Sequence, residues 1–328
     1  MGKAVLANNL LGTVTPINIM WRITNKCNSR CEYCRIWKRE QNELSTEQVF
    51  SLIDQMYHAG TLRIGFVGGE ALLRPDFAEI VQYAKSKSIY LTLVSNGILV
   101  PKKMSIIKNI DCLVLSFDGK KRNHERGRCK GSFGKLMQAF EACKRNKINL
   151  LTITVLNKHN LQDIDFVLEK AKKYGFRCNF HLLQGGWECY PSDQQYRQAL
   201  DYLIARKKQG SPIAMSLRCL RFLREWPDYK KFFSKEKMPG FRCYAGKLFF
   251  NIDTDGSIAG CDVLSNMHKN PDCVKLGLRQ ACNIVDRHGC EACTCVATIE
   301  YSSMFSLKAD VITDWVRVVF STRTKFFK

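Results

Sequence analysis

The chain has 328 residues, with 51 Lys and Arg against 30 Asp and Glu, a net charge of +21 and 16 cysteines. That length can bury a sizeable core in one large domain or two smaller ones, and the composition is that of a soluble globular protein. No apolar stretch is long enough to span a bilayer and residues 1–12 lack a secretory pattern, so a cytoplasmic chain is expected and a disulfide framework is not.

After an N-terminal segment, 1–15, the pattern over 16–183 repeats as apolar run, turn and amphipathic helix. Strands are expected at 17–23, 63–68, 90–95, 111–117, 150–156 and 177–183. Several are apolar almost throughout, as strands buried on both faces are. Helices are expected at 46–59, 76–86, 132–146 and 161–174. The first opens at Ser45 or Thr46, with Gln48 placed for a capping box if Ser45 is the cap. Six strand–helix units in a row imply a parallel sheet with right-handed crossovers. The unusual residues all follow strand ends, where barrels build their sites, which favours a partial (β/α)6 TIM-like barrel over an open sheet.

Gln184-Gly185-Gly186 ends the repeat. A basic helical connector is expected over 184–240, carrying Arg206, Lys207, Lys208, Arg218, Arg221 and Arg224. A small cysteine- and turn-rich extension follows over 241–300. The tail, 301–328, combines Val311, Ile312, Trp315 and Val316 with a basic end. It reads first as a packed helix and second as a peripheral membrane contact. The positive charge suits an anionic partner, or simply a solvated basic surface.

Cys27, Cys31 and Cys34 stand in the spacing C-x3-C-x2-C just after the first strand. Three thiolates leave one iron of a four-iron cluster without a protein ligand, an open position that chemistry needs. A zinc knuckle is the structural alternative, but it wants a fourth ligand, and the next histidine, His58, lies in a helix. Gly68-Gly69-Glu70 follows the second strand. Two glycines let a ligand approach the backbone, and the carboxylate offers an acceptor for an ammonium group.

With these two motifs the chain resembles the radical S-adenosylmethionine (radical SAM) enzymes, over roughly residues 16–183. The resemblance assigns Cys27, Cys31 and Cys34 to a 4Fe–4S cluster, with Tyr33 at the family's aromatic position. It assigns Gly68, Gly69 and Glu70 to the methionine amino group of S-adenosylmethionine. Ser95 and Asn96 end the third strand within the same cofactor site. Ser116 and Arg128 would meet the carboxylate, with Arg126 as a rival for the arginine, and Asn157 would meet the ribose. His124 and Arg128 follow the fourth strand at a spacing similar to members that modify peptides or sulfatases. The implied reaction is reductive cleavage to a 5′-deoxyadenosyl radical, which then attacks an unactivated carbon. It requires a one-electron donor such as flavodoxin or ferredoxin.

Cys243-x12-Gly256-x4-Cys261 resembles the opening of SPASM and twitch extensions, which carry auxiliary clusters. Residues 247–253 read as a strand, 254–257 as a hairpin turn and 258–261 as the return, which brings Cys243 near Cys261. Cys290, Cys293 and Cys295 supply further thiolates. One auxiliary 4Fe–4S cluster is expected on Cys243, Cys261, Cys290 and Cys293, with Cys295 a rival for the last place. Cys273 and Cys282 join or stand idle, and a structural zinc site is the alternative. Cys112, Cys129, Cys143, Cys178, Cys189 and Cys219 read as ordinary thiols. His181 and Glu188 could face the substrate, although surface groups are the default. A peptide ranks first as substrate, then a sugar, nucleoside or other small molecule, with a lipid or isoprenoid as rival. A non-catalytic electron carrier or redox sensor is the alternative of another class. The Gly-Gly-Glu motif argues against it, because a carrier has no amino acid to bind.

Overall fold

Six short strands pair in chain order, each parallel to the next: β1 (Asn18–Arg22), β2 (Arg63–Val67), β3 (Tyr90–Ser95), β4 (Cys112–Ser116), β5 (Leu150–Leu156) and β6 (Arg177–Leu182). They form the partial TIM-like barrel that the strand–helix repeat predicts. The computed structural model describes residues 2–31, 33–40, 42–184, 188–306 and 313. In chain order the helices through the barrel and connector are α1 (Gly2–Leu11), α2 (Thr46–His58), α3 (Phe77–Ser86), α4 (Met104–Ile107), α5 (Lys121–Gly127), α6 (Ser132–Arg145), α7 (Ile164–Tyr174), α8 (Asp193–Lys208) and α9 (Leu217–Arg224).

The outer face of the sheet carries the main core. Trp21 on β1 lies 6.5 Å from Phe66 on β2, and Phe66 meets Phe77 of α3 edge-on at 5.3 Å; all three side chains are fully buried. The capping box forms on Ser45. Its hydroxyl accepts from the Gln48 N–H at 3.3 Å, and the Gln48 side chain accepts from the Ser45 N–H at 2.9 Å.

The extension begins at β7 (Phe233–Ser234), which pairs antiparallel with β10 (Ala292–Cys293). Between them, β8 (Phe249–Ile252) and β9 (Ile258–Ala259) make the expected antiparallel hairpin. β8 does more than the hairpin requires. It also pairs parallel to β1, with Asn18 opposite Phe249 and Trp21 opposite Ile252, so the extension lengthens the barrel sheet beyond β1. Helices α10 (Asp262–Ser265), α11 (Cys273–Leu276), α12 (Leu278–Ile284) and α13 (Val296–Phe305) complete it.

The N-terminal helix belongs to this second core. Val5 is buried with Tyr244, Phe249 and Phe305. The Asn9 side chain donates to the Phe305 carbonyl at 3.1 Å and accepts from the Tyr244 hydroxyl at 2.6 Å. Part of the expected tail is therefore packed helix, since α13 runs to Phe305. The remainder that carries the basic end, with Val311, Ile312, Trp315 and Val316, lies outside the described residues. Among the described residues no helix is long and apolar enough to cross a membrane.

Candidate active site

β1 ends at Arg22 and the chain continues as a loop through Thr24, Asn25 and Lys26 into Cys27. The Gly-Gly-Glu turn after β2 packs against this loop backbone to backbone. Gly69 N–H donates to Thr24 C=O at 2.8 Å and Glu70 N–H to Lys26 C=O at 2.7 Å. A Cβ at Gly68 would fall on the Thr24 carbonyl, and one at Gly69 on the carbonyls of Asn25 and Lys26. The glycines thus permit a close approach between two segments of the chain. The two motifs form one unit.

The Glu70 carboxylate, expected to meet an ammonium group, is fully buried and accepts the Ser95 hydroxyl at 3.0 Å, the Asn96 N–H at 2.9 Å and the Leu72 N–H at 3.4 Å. Burial raises its pKa to about 7 against these three bonds. Ser95 is likewise turned inward, and the Asn96 side chain donates to the Asn28 side chain at 2.7 Å, so the end of β3 braces the cysteine loop. Glu70 and Ser95 act here as internal struts.

Asp118, two residues beyond β4, is a hub that the sequence motifs did not single out. Its Oδ2 accepts from the Tyr33 hydroxyl and from Arg128 Nε, both at 2.7 Å, and its Oδ1 from the Val155 N–H at 3.0 Å. The Asp118 N–H donates to His124 Nδ1 at 3.2 Å. That bond makes Nδ1 an acceptor, which requires a neutral ring; burial, reinforced by Arg128, lowers the His124 pKa to about 4. Burial alone would raise Asp118, but Arg128, His124 and the bonds from Arg128 and Tyr33 outweigh it and hold the carboxyl below its ordinary value. A charged side chain just past a barrel strand was the available signal.

This network turns Arg128 toward the cysteines, with its Nη1 3.9 Å from Cys31 Sγ. Arg126 is exposed and bonds His159. Ser116 is half-buried at the end of β4, and its hydroxyl makes no hydrogen bond among the described residues. Asn157 spends its side chain on its own loop, accepting from the His159 N–H and donating to the Val155 carbonyl.

Cys27, Cys31 and Cys34 lie close enough for their charges to interact. Burial pushes the Cys27 thiol up to about 11; a Ser29 N–H bond opposes this, while charges on Glu70, Cys31 and Cys34 add to it. Thiolates held together this way repel one another unless a cationic centre lies among them, so the donor set fits an iron–sulfur cluster. Cys129, read as an isolated thiol, sits beside this loop, 3.6 Å from a Ser29 hydroxyl that also touches Cys31.

A second thiol group fills the extension. Cys243, Cys261, Cys290, Cys293 and Cys295 share the second core. Cys261 stands at the N-cap of α10 and Cys295 at the N-cap of α13, where the helix N-terminus favours a thiolate. Cys295 interacts with Cys243, Cys261 and Cys293, whereas Cys290 interacts with Cys243 alone among the five. Cys219 on α9, expected to be isolated, lies beside Cys293 and Cys295. Cys273 and Cys282 instead face each other within the barrel core, on α11 and α12, and do not join. Among the described residues no three His, Cys, Asp or Glu side chains are placed to hold a single metal ion.

A cavity of about 260 Å³ lies between the Gly-Gly-Glu turn of the barrel and two thiols of the extension. Its walls include Met20, Gly68 and Gln184 on the barrel side, and Cys261, Cys295 and Tyr301 on the extension side.

A partial barrel with a thiol triad at its mouth, joined to a SPASM-like cysteine-rich extension, is the architecture of a radical enzyme core. The family model of the radical SAM superfamily matches residues 21–171, the stretch that holds the thiol triad and most of the barrel. The cofactors of that family are S-adenosylmethionine and a 4Fe–4S cluster. Fe-coproporphyrin III synthase of Methanosarcina barkeri is 29% identical over 205 residues, which cover 58% of this chain and 51% of that protein. Mycofactocin maturase MftC of Mycolicibacterium smegmatis is 28% identical over 210 residues, 60% of this chain and 53% of that protein. The chain thus spans about half the length of these curated relatives. Among solved structures, Streptococcus suis SuiB bound to S-adenosylmethionine matches with a TM-score of 0.67 at 13% identity, covering 85% of this chain and 68% of that one. The protein anSMEcpe, with bound AdoMet and a Cp18Cys peptide, matches at 0.64 with 19% identity, covering 81% and 80%. These likenesses show the fold.

Proposed function

We propose that the chain is a radical SAM enzyme that modifies an unactivated carbon of a peptide held between two clusters. The observation that carries this reading is the cavity bordered at once by Gly68 of the barrel motif and by Cys261 and Cys295 of the extension. An electron carrier has no use for a cavity between the barrel motif and the thiols of the extension, whereas a substrate needs such a place to sit. The peptide preference draws support from SuiB, which was also solved bound to its precursor peptide SuiA, and from anSMEcpe with its bound peptide. A small-molecule substrate is the second reading, favoured by the match to a coproporphyrin synthase.

In this reading Cys27, Cys31 and Cys34 hold the first cluster and leave one iron open. Cluster and S-adenosylmethionine together supply the one-electron chemistry that yields a 5′-deoxyadenosyl radical. Asp118 fixes Arg128 and Tyr33 so that little reorganisation is needed when S-adenosylmethionine binds. The remaining N–H groups of Arg128, with the free Ser116 hydroxyl, receive its carboxylate. Glu70 and Ser95 keep the motif backbone rigid behind it. Cys243, Cys261, Cys293 and Cys295 hold the auxiliary cluster, with Cys290 at its rim; this replaces the expected choice of Cys290 over Cys295. A flavodoxin- or ferredoxin-like donor supplies the electron.

Anaerobic incubation of reconstituted, reduced protein with S-adenosylmethionine tests the reading. 5′-Deoxyadenosine should form, and the Cys27/Cys31/Cys34 triple alanine variant should form none. Turnover by the triple variant would refute it.

A further inference from the structure

A second cavity, of about 210 Å³, lies on the inner face of the barrel sheet, closed on the far side by α13. Its walls are mostly apolar, from Met20, Val94, Val114, Leu151 and Ile153, yet three cations line it: Arg63, Arg177 and Lys207. The one acid on its lining is Glu300, which accepts from the Ser216 N–H at 2.7 Å.

Among the described residues the two arginines lack a counter-charge. Among the described residues Arg63 is hydrogen-bonded only to neutral groups, Asn18 Oδ1 and Thr92 Oγ1 at 2.6 Å and Met20 Sδ at 3.4 Å, with its guanidinium over the Tyr301 ring. Arg177 is barer still, since its Nη1 is enclosed and makes no hydrogen bond. Its nearest titratable neighbours are Cys112 and Tyr90, and burial lowers its own pKa. Burial holds the Cys112 thiol up at about 11 and pushes Tyr90 upward as well, so both are neutral. Among the described residues neither arginine has a carboxylate within ion-pair distance.

Both side chains are half-buried, and charges withdrawn from water are normally paired, because an uncompensated one keeps part of its desolvation cost. Two uncompensated guanidinium groups flanking one small cavity therefore point to an anionic ligand. The cavity is smaller than ordinary sites for whole ligands, so it suits one end of a molecule. It shares Met20, Ala297 and Tyr301 with the larger cavity that runs past Gly68.

We propose that this cavity is an anchoring subsite for a single carboxylate of the substrate, with Arg177 as its main contact and Arg63 as a fixed second charge. A carboxylate is favoured because a planar guanidinium matches it bidentately and the apolar walls suit the short carbon chain behind it. The proposal rests on the larger cavity being the substrate site, and it narrows the substrate to one bearing a carboxylate away from its reacting carbon.

Thermal unfolding of the full-length reconstituted protein, without S-adenosylmethionine, provides the test independently of turnover. The probes are propionate, propionamide and inorganic phosphate at equal ionic strength. N-acetylalanine (terminal carboxylate) and N-acetylglutamate diamide's free-acid side-chain counterpart, N-acetylglutamic acid α-amide, distinguish a chain terminus from a side chain. Propionate and at least one amino-acid acid should give a saturable rise of roughly 2–4 °C near tenfold excess over the dissociation constant. Propionamide should give none. Arg177→Met should abolish the rise while leaving the ligand-free melting temperature unchanged or higher, because it removes a half-buried charge whose enclosed Nη1 has no partner. Arg177→Lys should keep a weaker rise. A shift retained in Arg177→Met, a shift with phosphate alone, no saturable shift, or a lower ligand-free melting temperature in Arg177→Met would each overturn the assignment. Because the assay needs no radical, loss of 5′-deoxyadenosine formation would count against the enzyme reading without touching this one.

Discussion

Replacing Asp118 with Asn keeps the shape of the hub and removes its charge. The Arg128 and Asp118 side chains are only 7% and 2% exposed, so the guanidinium left behind cannot turn to water. Breaking a buried pair from one side costs about 3–5 kcal/mol, and a new Asn amide N–H cannot accept from Tyr33, Arg128 or the Val155 N–H. For a domain of this size the melting temperature should fall by roughly 6–15 °C. The sign with pH follows from the depressed carboxyl. Its contribution is present above the ordinary value of 3.8 and is lost as pH falls through the lower folded value. The gap between wild type and Asp118→Asn should therefore be constant from about pH 5 to 8 and close only in stronger acid. The double variant Asp118→Asn/Arg128→Met, which removes the stranded charge, should recover part of the loss. Anaerobic thermal unfolding at matched iron content reads all three. A loss below about 1 kcal/mol, strict additivity in the double variant, or a gap that changes between pH 5 and 8 would refute the reasoning.

Gly69→Ala should disrupt the cysteine loop, since its Cβ would strike the Asn25 and Lys26 carbonyls; reconstituted iron should drop even though no thiol is lost. Glu70→Gln should change the stability profile with pH. The rise of Glu70 from 4.5 to about 7 is worth roughly 3 kcal/mol, present below pH 4.5 and lost as pH climbs to 7, so wild type should lose stability relative to the variant across that window. Parallel profiles would place the carboxyl outside the buried site. Fully loaded protein should hold about eight irons and the Cys27/Cys31/Cys34 triple variant about half, whereas four irons with bound zinc would identify the extension as a zinc site. Alanine at Cys273 and Cys282 should leave iron content unchanged, and a loss would contradict their separate placement.

Most of the barrel was legible because its signals are local. Apolar runs with turn residues between them mark β3 and β5 to the residue, and Ser45 with Gln48 carries its cap within four positions. The thiol triad and the Gly-Gly-Glu turn were legible as motifs because their chemistry depends on short spacing. What those motifs do to each other was not. The glycines admit the backbone of residues 24–26, and Glu70 reaches β3 rather than outward, contacts set by the parallel pairing of strands far apart in sequence. The addition of β8 to β1 joins residues more than two hundred positions apart, and α1 completes a core otherwise built from the other end of the chain. Asp118 looks like any polar residue after a strand until burial brings Tyr33 and Arg128 to one of its oxygens. Arg63 and Arg177 read as ordinary first residues of strands. Only the assembled sheet puts both on one cavity with no carboxylate within ion-pair distance among the described residues, because the absence of a counter-charge is a property of surroundings and not of a residue.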